Sequence, residues 1–184
     1  MNDITKQVNI NNVFGPVNIG NNTEYKIGSI VNSLLNLLVK NENLHINNFT
    51  KPPAKTIKKI RYNNLEKRKY VIAVYQKHSK IIEEAFNNLN SLIPFGKEKV
   101  LNSLNNTYYE ALDIFEIDYL DDDYLPLVQI KSIEIIDFIL YKMKCKIIES
   151  DCSDFFSEDI DLGTQLIVAY AFIECQIMEN PNDS

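Results

Sequence analysis

Over most of the chain, apolar residues recur every three or four positions. Ile27, Ile30, Val31, Leu34, Leu35 and Leu38 predict a helix over about 24–40, with Thr23 placed to cap it. Residues 41–56 lack such a period and read as a loop, with extended backbone enforced at Pro52-Pro53. "TIKKIRYNNL" leads into a second helix, capped near Asn63 or Asn64 and running to about Leu92. Its apolar face carries Leu65, Tyr70, Val71, Val74, Tyr75, Ile81, Ile82, Ala85, Phe86 and Leu89. Pro94 and Gly96 break the chain, and a third helix is expected from about Lys97 to Tyr119. Asp121 to Asp123 precede Pro126, where negative charge favours a helix start, and a fourth helix follows to about Ile148. Asp151 to Asp161 reads as an acidic connection. The run "LGTQLIVAYAFIECQIM" is apolar nearly all round, the pattern of a buried helix.

The stretch "VNINNVFGPVNIGNN", Val8 to Asn22, follows a different period. Branched apolar residues alternate with asparagine on either side of Phe14-Gly15-Pro16, as in two short β segments with an apolar and a polar face. An isolated hairpin is marginal in water, so the segment needs the helical body or another chain to pair with. The expected fold is therefore mainly α. About five helices form a bundle, preceded by a short N-terminal β hairpin or strand motif. Residues 1–22 hold the β motif and residues 23–184 the helical domain.

Composition narrows the class. A chain of 184 residues can bury one core without staples, and scarce glycine and proline suit long helices. Cys145, Cys152 and Cys175 have no metal-like spacing and read as reduced thiols. No basic-then-apolar leader opens the sequence, and the run Ile133 to Leu140 is too short to span a bilayer, so a cytoplasmic chain without membrane contact is expected.

Charge is segregated within a net balance of −6. Between Lys51 and Lys80 there are ten Lys/Arg and one acid, Glu66, whereas Glu110 to Asp123 holds seven acids and no base. The basic set Lys58, Lys59, Arg61, Lys67, Arg68 and Lys69 can neutralise phosphates, with Tyr62 and Tyr70 available to stack on bases. It can equally meet acidic runs of this chain or of a partner, or form a solvated face. Overall acidity counts against an independent nucleic-acid binder.

Candidate chemistry is sparse. The five glycines never form a phosphate-cradling motif. His78 beside Ser79 reads as a surface pair, because neighbours on a helix face different ways. "EIDYLDDDY", Glu116 to Tyr124, has carboxylates but neither the alternating ligand positions nor the turn glycine of a calcium loop. No catalytic residue, metal ligand or cofactor is expected.

Several stretches, taken in order, resemble one family. "VNINNVFGPVNIGNN" resembles the "G-D-V-N-I-G" strand motif that precedes partner-binding modules of bacterial conflict systems. "TIKKIRYNNL", Thr56 to Leu65, is similar to the "K-I-x-Y-N-x-L" opening motif of the C-terminal domains in ABC-three-component systems. "YQKHSKIIEEAFNNL", Tyr75 to Leu89, fits that module's next helix. "GKEKVLNSLNNTYYEAL", Gly96 to Leu112, is like its "K-x-K-V-L-x-x-I-x-x-x-Y" helix. "AYAFIECQIMENPND", Ala169 to Asp183, is similar to its ending, "D-A-F-I-x-C-x-I-x-E-N-P". The resemblance implies a subunit of a Lamassu-like antiviral complex, joining an SMC/ABC-type ATPase to an effector. Family members usually carry a fused effector domain. None precedes the module here, so any catalysis is expected from another chain.

Together these readings give a non-enzymatic adaptor or assembly subunit of a bacterial antiphage system. Val8, Ile10, Val17 and Ile19 would pair with a partner, since open strand edges recruit other chains, or pack on the helical body. The basic set would dock an acidic protein or nucleic acid. Its partners would be protein subunits, including further copies of itself. The alternative is a small nucleic-acid-binding regulator that uses residues 51–80.

Overall fold

The computed structural model describes residues 29–41, 54–150, 152–174 and 176–181. The β motif, with Val8, Ile10, Val17 and Ile19, and the Thr23 cap lie outside the described residues. Within them the chain forms α1 (Ile30–Val39), α2 (Ala54–Tyr62), a 3-10 turn (Glu66–Arg68), α3 (Lys69–Leu92), α4 (Gly96–Ile114), α5 (Tyr124–Glu149) and α6 (Ser157–Ile173). The fold is mainly α, with six α-helices among the described residues rather than about five.

Helix α6 forms the centre. From Leu166 to Phe172 every side chain is buried, and α3, α5 and α1 pack around it. Its all-round apolarity is satisfied by neighbours on several sides. α1 lays Leu34, Leu35 and Leu38, none with any exposure, against α3 and α6. Ser29 caps α1, its hydroxyl accepting from the Val31 N–H at 3.2 Å. Gly163 on α6 lets α1 approach closely, since a Cβ there would run into the Leu35 side chain.

Two helix ends differ from the expected positions, for the same backbone reason. Asn63 and Asn64 do not cap α3. They close α2, an additional helix in the segment that reads as a loop running into α3. Asn64 is left-handed, at φ 53°, and the Leu65 and Asn64 N–H groups donate to Ile60 and Arg61 carbonyls. α4 stops at Ile114 rather than Tyr119 through the same closure. Glu116 has φ 56°, and the Ile117 and Glu116 N–H groups donate to Leu112 and Asp113. Both are Schellman endings, in which an apolar residue just past the helix, here Leu65 or Ile117, folds back into the core. α6 begins at Ser157, inside the expected acidic connection, and Asp159 accepts from the Phe156 N–H at 3.2 Å.

Candidate functional site

Helix α2 has two unlike sides. Thr56, Lys59, Ile60 and, just beyond the helix, Asn63 are buried, which turns Lys55, Lys58 and Arg61 outward at successive turns. The turn that follows exposes Lys67 and Lys69, with Tyr70 half exposed. Among the described residues, none of these five cations has a carboxylate at ion-pairing distance. Ion pairs in which both partners are described residues include Arg68–Asp137, Lys97–Glu174, Lys131–Glu134, Lys142–Glu110 and Lys144–Asp161. The acidic stretch 116–123 makes none of them, so the basic set is not matched by it within the described chain.

Two members of the expected basic set are engaged internally. Lys59 is 4 % exposed, and its ammonium donates to the carbonyls of Phe172 (2.8 Å) and Ile177 (3.2 Å) and lies over the Phe172 ring. It is a buried structural cation. Arg68 forms a two-pronged pair with Asp137 on α5, with Nε 2.8 Å from Oδ1. Lys58, Arg61, Lys67 and Lys69 remain outward, and Lys55 joins them.

Behind this surface the C-terminal segment is clamped. Asn63, fully buried, donates to the Glu179 carbonyl at 2.8 Å and to the Lys59 carbonyl at 2.9 Å, while its own oxygen accepts from the Glu179 N–H at 3.0 Å. The Glu179 carboxylate accepts from the hydroxyls of Tyr108 (2.6 Å) and Tyr124 (2.7 Å). Asn105 donates to the Gln176 carbonyl at 2.7 Å. Ile177 and Met178 are buried between these contacts. Burial, reinforced by the Glu179 charge, pushes the Tyr108 and Tyr124 hydroxyls well above the ordinary tyrosine range.

The clamp unites stretches far apart in sequence: Lys59 and Asn63 from "TIKKIRYNNL", Tyr108 from "GKEKVLNSLNNTYYEAL", and Ile177 and Glu179 from "AYAFIECQIMENPND". Apolar periodicity missed it, because Tyr108 reads as a core residue and Glu179 as part of a polar tail. No local pattern pairs Asn63 with Glu179, which lie 116 residues apart.

The remaining sequence candidates fall into structural roles. His78 is buried, not a surface histidine. In the acidic stretch, Asp118 accepts from the Leu120 N–H and Asp121 from the Asp123 N–H, shaping the α4–α5 connection. No three potential metal-binding side chains cluster among the described residues. No helix among them is long and apolar enough to cross a membrane. Compared with known proteins, the chain matches no family model, no curated protein and no solved structure.

Proposed function

We propose that the chain is a non-enzymatic docking subunit of a bacterial antiphage complex, joining an SMC/ABC-type ATPase to an effector through protein–protein contacts. The observation that carries the docking part of this reading is the exposed cation set Lys55, Lys58, Arg61, Lys67 and Lys69, free of ion pairs among the described residues, while the antiphage setting follows from the sequence resemblance alone. These charges sit on backbone fixed from behind by Lys59, Asn63 and Arg68. Like charges clustered on a fixed backbone steer an acidic partner and gain Coulomb energy from it, which offsets the side-chain freedom lost on docking. The meeting of three resemblance-bearing stretches at Glu179 adds support, since it gives those residues a common task.

The second reading, a nucleic-acid-binding regulator, is favoured by half-exposed Tyr70 beside Lys69. The acidic balance of the whole chain weighs against it.

The test is charge reversal at residues whose side chains have no structural duty. Lys58→Glu/Lys67→Glu/Lys69→Glu is expected to release the bound protein partner while leaving helicity unchanged. In the unaltered chain, binding should weaken as ionic strength rises from about 0.1 to about 0.5 M. Binding that ignores both changes would remove the cation set from the account. Arg68 is left intact, since reversing it would set a carboxylate against Asp137.

A further inference from the structure

A separate concavity of about 390 Å3 lies between α4 and α5, lined by Lys99, Asn102, Ser103, Asn106, Thr107, Glu110 and Lys146. Every lining residue is polar, which is unsuited to an apolar ligand. Three turns of α4 supply the wall, because positions 99, 102, 103, 106, 107 and 110 fall on one helix face.

Lys146 sets the chemistry. Its ammonium donates to Ser103 Oγ at 2.8 Å and to Thr107 Oγ1 at 3.2 Å, both neutral oxygens. The Thr107 hydroxyl donates in turn to the Ser103 carbonyl at 2.8 Å. An ammonium has three donors, so one is left over, and no carboxylate contacts it among the described residues. Glu110, the acid of the groove, is held by Lys142 at 2.7 Å. Burial lowers the Lys146 pKa from its ordinary value, the sign of a half-buried cation without a full countercharge.

We propose that this groove binds the phosphate of a small phosphorylated molecule, with Lys146 and Lys99 on the phosphate and Asn102, Asn106 and Ser103 donating around it. Lys99 and Lys146 leave the groove with two positive charges once Glu110 is set against Lys142, which matches a phosphate dianion. The absence of arginine from the lining disfavours a planar carboxylate, for which a guanidinium fork is the usual partner, whereas lysines act as point charges. Glu110 at the rim can accept from a hydroxyl on the body of the ligand.

The test is a titration of the 15N-labelled full chain with ribose 5-phosphate, inorganic phosphate and ribose, followed by amide shifts. Saturable shifts at Ser103, Asn106, Thr107 and Glu110 are expected with both phosphates, tighter with the ester, and none with ribose. Lys146→Met, which keeps the aliphatic stem, and Lys99→Ala, at the exposed rim, should each weaken binding about tenfold, as expected for one charge-assisted contact. Lys131→Ala, near the start of α5 and outside the groove lining, should leave it unchanged. If Lys146→Met fails to fold, Lys99→Ala carries the test alone. The proposal is overturned by silence up to about 10 mM, where even weak sites respond. Unsaturating shifts spread equally over Lys55 to Lys69 would also overturn it, as would binding of inorganic phosphate without the ester.

Discussion

The hydroxyl of Tyr108, in the middle of α4, donates at 2.6 Å to the carboxylate of Glu179, close to the C-terminal end of the described chain. Tyr124 holds the other carboxylate oxygen at 2.7 Å. Tyr108 is 4 % exposed, so this is a charge-assisted bond largely shielded from water. Tyr108→Phe is expected to cost about 2 kcal/mol, the range of a hydrogen bond to a charged group. A double-mutant cycle with Glu179→Gln in urea unfolding isolates the coupling. Additive effects would show that the two groups do not support each other.

Alkaline pH should act on the same contact. The folded-state pKa values of Tyr75, Tyr108 and Tyr124 lie above the ordinary value, chiefly through burial. Their contribution is therefore complete below about pH 10 and is lost as pH climbs beyond it, because the unfolded chain gives up those protons first. Lys146 works the other way. Its lowered value makes stability rise between that value and the ordinary lysine pKa of about 10.4. Comparison of the native chain with Tyr108→Phe cancels the lysine effect. Urea midpoints measured from pH 8 to 11 should fall less steeply in the variant. Parallel curves would contradict the assignment.

Lys59 and its neighbour Lys58 lie on opposite sides of α2, one in the interior and one on the exposed cation face. Lys59→Met removes the donor to Phe172 and Ile177 carbonyls and should cost about 2–4 kcal/mol, as buried acceptors lose their partner. Lys58→Met, on the exposed side, should change stability by no more than about 0.5 kcal/mol. Thermal unfolding of the two variants checks the contrast. Equal midpoints would place both lysines in water.

These two residues also show what could be read from the sequence. Apolar periodicity locates α3, α4 and α5, because Ile82, Leu104 and Ile139 belong to long helices whose stripes face a common core. It does not find the breaks after Tyr62 and Ile114. Those depend on left-handed backbone at Asn64 and Glu116, and glutamate carries no local signature for that conformation. It also places Lys59 among exposed cations. The carbonyls that justify its burial lie 113 and 118 residues away, beyond the reach of any local pattern. The Lys146 groove is not legible in the sequence for a similar reason, since its hydroxyl partners come from another helix.

Gly163 tests the packing at the centre of the bundle. A methyl group there meets Leu35, which has no exposure and little room to turn. Overpacking of this kind costs about 1–3 kcal/mol, offset by about 1 kcal/mol from the better helix propensity of alanine. Gly163→Ala should therefore lower the melting temperature, and Gly163→Val should lower it further. A rise in either would mean that α1 and α6 are not so closely seated.

What accompanies the chain in its own cell tests the proposed docking role most directly. The first measurement is co-purification of the tagged full chain from its native host, with mass spectrometry of the retained proteins, beside the Lys58→Glu/Lys67→Glu/Lys69→Glu variant. Recovery of an SMC/ABC-type ATPase and an effector with the native chain, and their loss with the variant, is the expected result. Retention of nucleic acid alone, or of nothing but further copies of the chain, would contradict it.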